Sequence, residues 1–475
     1  MYRCKGSQRS ETKMNPSTLL VTSALYPTLM NQQFIPPETG IVTPTEQQMQ
    51  RLTKLQDLAK RQPTEYITIY IYSSKSYILI TSLFHPLAHN MPQHKALYLD
   101  SKCGKFVLGT NETPKPGQGE LLVRIEAVGL NPVDWGIQKW GLFIETYPAI
   151  LGTDTAGVVV EVGQGVTNFA VGDRVLYQGA WANDRASYQQ FNVVSASITA
   201  KIPNFLSFEA AASVPVCLTA AFLGLYNANP HGAGYSAPFK SSSVGKYAGK
   251  PLFVFGGAGA VGQFAIQLGK LSGFSPIITT ASLHQTRYLK SLGATHVIDR
   301  HLPLSSLRDE VKNITTTPLD IVFDAVSTAD TQKAGYELLS PRGSLVVLLN
   351  PEVAKTEGKE IYHVFAIPTL PHTSKICTEM YRHLTGWLEE GVIRPNNVEI
   401  LPQGLEGVVD GLAKLENGQV SGTKLIARPQ LTGNVREKLS ISTKQEALGS
   451  EKSNGTTQKE KTAAKRKSLF RRIIS

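Results

Sequence analysis

Three glycines, Gly257, Gly259 and Gly262, stand in G-x-G-x-x-G spacing within Phe253-Val-Phe-Gly-Gly-Ala-Gly-Ala-Val-Gly-Gln-Phe-Ala-Ile-Gln-Leu-Gly-Lys270, with Ala258, Ala260 and Val261 completing the turn. A buried strand, a glycine turn and a helix start in immediate succession make a dinucleotide pyrophosphate site. The glycines permit a tight turn, close approach of backbone to phosphate and close packing of helix on strand. The helix N-terminus adds unpaired N–H groups and a favourable dipole. The spacing alone is a weak signal, and its context strengthens it.

The next strand, Pro276-Ile-Ile-Thr-Thr280, ends in Ala281-Ser282-Leu283-His284, with no Asp or Glu where a ribose diol would find its acceptor. A carboxylate there would repel a 2′-phosphate, whereas Ser282 can donate a hydrogen bond and His284 or Arg287 can add positive charge. The expected cofactor is therefore NADPH rather than NADH. Further residues at the carboxyl ends of strands are Ser327, in Asp324-Ala-Val-Ser327, and Leu348, in Leu348-Leu-Asn350. Asp324 itself reads as a cap or sheet-edge carboxylate rather than an acid catalyst.

A catalytic zinc would need clustered Cys, His and Asp or Glu with an open position. The four cysteines, Cys4, Cys103, Cys217 and Cys377, are far apart and match no C-x-x-C spacing, and no histidine lies between His94 and His231. No metal site is expected. A nicotinamide enzyme without one is suited to a substrate already activated by conjugation.

The elements that must position these groups fall into blocks. Strands alternate with glycine turns over roughly 95–200, as in a small closed β domain with few helices. Phe208–Tyr226 reads as a helix capped by Ser207 and interrupted at Pro215. Strands at 252–256, 276–280, 296–298, 320–324 and 344–349 alternate with helices at 260–272, 284–291 and 330–339, which predicts a parallel sheet covered on both faces. Helices follow at 374–390 and near 405–416.

The chain of 475 residues has a formal net charge of +11. Residues 91–430 carry 28 basic and 28 acidic side chains, so the excess belongs to the ends. A neutral body offers no footprint for a nucleic acid backbone. No uninterrupted apolar run is long enough for a transmembrane span. Residues 1–90 are expected to be a poorly ordered extension, with the compact protein beginning at Met91, and 431–475 a disordered basic tail. The expected location is cytoplasmic.

Several motifs now carry a resemblance. Asn131-Pro-Val-Asp-Trp135, Tyr147-Pro-Ala-Ile-Leu-Gly-Thr-Asp-Thr-Ala-Gly157, Gly172-Asp-Arg-Val175, the 253–270 run and Val420-Ser-Gly-Thr-Lys-Leu-Ile426 are similar to the zinc-independent medium-chain dehydrogenase/reductase superfamily. Within it the chain most resembles fungal trans-acting enoyl reductases of polyketide biosynthesis and their ToxD-like relatives, over about residues 93–430. The resemblance implies an α/β fold of a GroES-like β domain (91–212), a Rossmann domain (213–360) and a segment (361–430) returning to the β domain.

It also implies roles. Asn131 and Asp134 would shape the nicotinamide side of the cleft, and Thr219 would sit near the nicotinamide or the enoyl group. Phe365 would close on the carboxamide, and Ser421 and Lys424 would return near the cofactor. Cys217 reads as a packed small residue rather than a nucleophile. Relatives commonly carry Lys after the Asp-Trp pair, where this chain has Gly136; Lys139 is the candidate to reach that space.

The expected activity is hydride transfer from NADPH to an activated carbon–carbon double bond, with a small-molecule or acyl-carrier-tethered enoyl substrate and a transient polyketide synthase partner. Relatives of this type resemble monomers rather than homodimers. The alternatives are a small-molecule quinone or alkenal reductase, and a non-catalytic NADPH-binding scaffold or sensor.

Overall fold

The computed structural model describes residues 92–433 apart from residue 357, together with the backbone of β1 (Ile71–Ser73) and β2 (Ser76–Ile78). These two strands pair antiparallel, Tyr72 opposite Tyr77. Otherwise the expectations for 1–90, and for the basic tail beyond residue 433, lie outside the described residues.

From Pro92 onward the chain forms one unit. Its first part is, but for one helix, a β domain: β3 (Gln93–Leu99), β4 (Phe106–Glu112), β5 (Glu120–Gly129), β6 (Ala149–Ile150), β7 (Asp154–Val162), β8 (Arg174–Gln178), β9 (Phe191–Ser195) and β10 (Thr199–Lys201). The long strand β5 is its spine, pairing antiparallel with both β7 and β9. Register shifts between β5 and β7 fall at Leu122/Val123 and Ile125/Ala127. They re-aim the strand, so that Leu121 and Val123 enter one core and Ile125 and Val128 another.

The helix α1 (Pro132–Trp140) is not among the elements expected from the sequence. Pro132 occupies its first position, where a missing N–H costs nothing, and Gly141 ends it in the left-handed region at φ 64°. The expected long helix at 208–226 is divided as Pro215 requires, into α2 (Phe208–Ala211) and α3 (Pro215–Tyr226). Ser207 caps α2 through the Ala210 N–H. This stretch is apolar and long enough to cross a bilayer, with a mean hydropathy of 1.7, yet 78% of it is buried within the protein. It is a core segment, and its longer helix α3 packs against α4 (Ala260–Leu271).

The next strands are β11 (Leu252–Phe255), β12 (Ile277–Ala281), β13 (His296–Asp299), β14 (Ile321–Asp324), β15 (Ser344–Val347) and β16 (Glu360–His363). They form a parallel sheet in the order β13-β12-β11-β14-β15-β16. All four residues of β11 and of β14 are buried, as in a sheet covered on both faces. The connecting helices are α4, α5 (Thr286–Leu292), α6 (Leu307–Ile314) and α7 (Ala329–Leu338). The strands and helices read from the sequence occur within about two residues of their places; α6 and β16 are additional. Because β11 has β12 on one side and β14 on the other, the topological switch point lies at the carboxyl end of β11.

The chain then crosses back. Helix α8 (Ser374–Glu389) packs on β10, and β17 (Val398–Ile400), α9 (Gly407–Glu416) and β18 (Lys424–Ala427) follow. Strand β18 pairs antiparallel with β5, Ile426 opposite Gly129, so one sheet of the β domain is completed by residues some 300 positions later.

Candidate active site

The glycine turn lies at the switch point. Gly256, not Gly257, takes the left-handed conformation at φ 69°, an assignment the G-x-G-x-x-G spacing does not supply. A Cβ on Gly257 would stand 2.1 Å from Thr279 Oγ1, and one on Gly262 would stand 2.3 Å from the Gly256 carbonyl. These two positions are closed by packing. At Gly259 the nearest atom would be 3.2 Å away, and Gly259 caps α4 with no side-chain bond to its first N–H groups. Those donors, with Ala258, Ala260 and Val261 beside them, fit a pyrophosphate.

At the end of β12, Ser282 is half-buried, while His284 and Arg287 are exposed on the short turn and first helical turn that follow. Gln285 in that turn lies against the returning loop: a Cβ on Gly422 would meet its Nε2 at 2.6 Å. Exposed Ser421 therefore adjoins the Ser282 segment. On the other side of β11, Asp324 accepts from the Val326 and Ser327 amides at 3.0 and 2.8 Å and from Thr331 Oγ1 at 2.7 Å, the capping arrangement expected of it. Ser327, at φ 59°, accepts the Leu348 amide at 2.8 Å and so ties the ends of β14 and β15 together.

A buried polar network lies where the end of β5, β7, the start of α3 and β18 meet. Asn131 caps α1, its amide N–H donating to Asp134 Oδ2 at 3.0 Å. Its side-chain Nδ2 donates to Asp154 Oδ2 at 2.8 Å, and its Oδ1 accepts from Lys424 Nζ at 2.5 Å. Lys424 also pairs with Asp154 Oδ2 at 2.9 Å and donates to Cys217 Sγ at 3.3 Å. The other oxygen of Asp154 accepts from the Val216 N–H at 2.7 Å, in the first turn of α3, where a carboxylate is favoured. Burial depresses the Lys424 ammonium, but the Asp154 carboxylate and Cys217 more than reverse this and hold its pKa above the usual lysine range. The same burial pushes the Cys217 thiol up, leaving it a packed residue.

Gly129 makes the network possible. A Cβ there would sit 2.7 Å from the Ala212 carbonyl and 3.0 Å from both Asp154 Cβ and Lys424 Cε. No spacing rule marks Gly129, because the strand that presses on it arrives from the far end of the chain.

Asp134 is fully buried and accepts the Tyr188 hydroxyl at 2.7 Å. Desolvation pushes its pKa up to about 6, against the lowering influence of Tyr188, the Asn131 amide and Lys424. Thr219, one helical turn beyond Pro215, donates to the Pro215 carbonyl at 2.7 Å. Gln178, opposite Asp154 in the β7–β8 register, holds the far segment: its Nε2 donates to the Ala366 carbonyl at 2.5 Å, and its amide N–H to Tyr381 Oη at 3.1 Å. Half-exposed Phe365 is thereby anchored at its neighbour. Gln178 and Tyr381 carry no signal in the sequence.

Lys139 does not join this cluster. It pairs with Glu416 of α9 and lies over the Trp135 ring at 5.7 Å. Gly136 is buried in α1, where a Cβ would stand 3.3 Å from the Trp140 ring. Among the described residues no group of three or more His, Cys, Asp or Glu could hold a metal ion.

Known proteins show the same plan. The alcohol dehydrogenase GroES-like domain family matches residues 117–204, and the zinc-binding dehydrogenase family matches 260–367. The chain is 30% identical to the dehydrogenase azaJ of Aspergillus niger over 351 residues, covering 71% of this chain and 99% of that protein. It is 28% identical over 363 residues to lovC, the enoyl reductase component of the lovastatin nonaketide synthase of Aspergillus terreus, covering 71% and 96%. Among solved structures, the quinone oxidoreductase of Coxiella burnetii is 25% identical with a TM-score of 0.55, covering 70% of this chain and 99% of that one. The chain belongs to the zinc-independent medium-chain dehydrogenase/reductase superfamily.

Proposed function

We propose that the enzyme reduces an α,β-unsaturated thioester carried by the acyl-carrier domain of a separate polyketide synthase. The observation that carries this reading is the match to the enoyl reductase component of a polyketide synthase, over 96% of that component. NADPH, when bound, supplies the hydride that forms the new bond at the β-carbon. The electron pair of the double bond moves onto the thioester oxygen, and a proton added at the α-carbon completes the reduction.

In this reading the cradle of Gly257, Gly259 and Gly262 holds the pyrophosphate, and Ser282, His284 and Arg287 receive the 2′-phosphate. Ser327, Leu348 and Phe365 border the nicotinamide half, and Ser421, beside the Ser282 turn, lies at the 2′-phosphate end. Asn131, held by Asp154 and Lys424, faces the reacting carbonyl with Asp134 and Thr219 beside it. Lys139, tied to Glu416, stands outside that set, so water or the substrate side delivers the α-proton.

The enzyme would work as a cytoplasmic monomer meeting the synthase transiently. Its boundaries would be those of a catalytic body from Met91 to Gln430. The test is NADPH oxidation by the full chain against acyl-carrier-tethered enoyl chains, free enoyl thioesters, enones and quinones. Turnover of the tethered substrate at the highest kcat/KM is expected. Turnover of quinones alone would establish the small-molecule reading, and NADPH binding without consumption the scaffold reading.

A further inference from the structure

An asparagine amide can face either way, donating or accepting at the same point in space, and only its neighbours decide. At Asn131 the neighbours leave one choice. Lys424 Nζ is a donor with no acceptor capacity, and it meets Asn131 at Oδ1. The paired carboxylate of Asp154 is an acceptor, and it meets Asn131 at Nδ2. All three side chains are buried, at 3% exposure for Asn131, 0% for Asp154 and 4% for Lys424, so water does not substitute for either partner. Turning the amide over would set N–H against ammonium and C=O against carboxylate.

Asn131 Nδ2 has two hydrogens, and Asp154 takes one. The second has no bonded acceptor among the described residues.

We propose that Lys424 is a positioning residue: it acts through Asn131, fixing that amide as a hydrogen-bond donor toward the substrate carbonyl during hydride transfer. The proposal rests on the enoyl reductase reading for its substrate, but the locked orientation is a property of the protein alone. Lys424 then serves the reaction without contacting substrate, and the Lys424–Asp154 pair is kept as two charges because a neutral pair would not select the orientation.

The test is the double variant Lys424→Met with Asp154→Asn, which removes both charges together. The introduced thioether offers no donor, and the introduced amide offers both donor and acceptor, so nothing then chooses the face of Asn131. Expected are unchanged cooperative unfolding, NADPH affinity within about threefold of wild type by fluorescence titration, and kcat for an enoyl thioester lowered by roughly 10²-fold, the loss typical of one preorganised donor. Wild-type kcat in the folded double variant would overturn the proposal. So would a loss of NADPH affinity in step with kcat, which would make Lys424 a cofactor contact.

A second measurement needs no variant and no substrate. Hydrogen exchange of the Asn131 side-chain amide in the wild-type protein, followed by NMR, should be at least about 100-fold slower than for an exposed amide; exchange at the exposed rate would refute the lock. If wild type turns over no substrate, the enoyl reading fails, and the exchange rate still tests whether the Asn131 amide is held in place.

Discussion

Tyr188 and Asp134 share a hydrogen bond of 2.7 Å in a place where both side chains are fully buried. The carboxyl binds its proton more tightly in the folded protein than in the unfolded chain, since its pKa rises from 3.8 to about 6. Its contribution to stability is therefore complete below the unfolded value and is lost as pH rises through about 6, a difference of roughly 3 kcal/mol. Both bonds to this side chain end on Oδ2, while Oδ1 has no partner, so Asp134→Asn keeps both acceptor contacts and removes the ionisation. The melting temperature of Asp134→Asn relative to wild type should climb between about pH 4 and pH 7. A constant difference across that range would show that Asp134 does not titrate there.

The glycines of the turn should separate folding from binding. Gly262→Ala places a Cβ 2.3 Å from a carbonyl and should lower both stability and NADPH affinity. Gly259→Ala has 3.2 Å to its nearest neighbour. It should change the melting temperature little while weakening NADPH binding by about tenfold or more, because the new methyl projects where the phosphates approach. Titration of both variants, alongside thermal unfolding, checks the contrast.

Cofactor choice should turn on Ser282. Ser282→Asp puts a carboxylate beside the adenosine ribose, repelling a 2′-phosphate and accepting from a diol. The ratio of kcat/KM for NADPH over NADH should fall by about 100-fold. Arg287→Ala, at a position open to solvent, should lower it by only a few fold.

Gln178→Leu breaks the bond to the Ala366 carbonyl while retaining side-chain bulk. The segment carrying Phe365 then loses its tie to β8, and KM for NADPH should rise several fold with a smaller change in kcat. Stability should fall by about 1 kcal/mol. Equal effects on kcat and KM from steady-state kinetics would contradict the anchoring role.

What is legible in the sequence is local. The run at 253–270 carries its strand, turn and helix in consecutive residues, and Pro215 divides its helix where proline chemistry requires. Helix α1 does carry start and stop signals, Asn131 with Pro132 and then Gly141, but nine residues interrupted by Gly136 are too few for an apolar period to stand out. The role of Gly129 and the bond from Lys424 to Asn131, 293 residues apart, depend on strand order, which no window of sequence contains. Lys139 lies close to Asp134 along the chain, but its partner is Glu416, 277 residues away.

Strand β18 also sets a time for the enzyme's birth. The β domain opens at residue 93, yet the ammonium that completes its buried network is Lys424, which leaves the ribosome only after the whole parallel sheet has been made. Until then Asp154 and Asn131 lack their cation. A nascent chain or proteolytic fragment ending before residue 424 would lack the buried ammonium that pairs with Asp154 and orients Asn131.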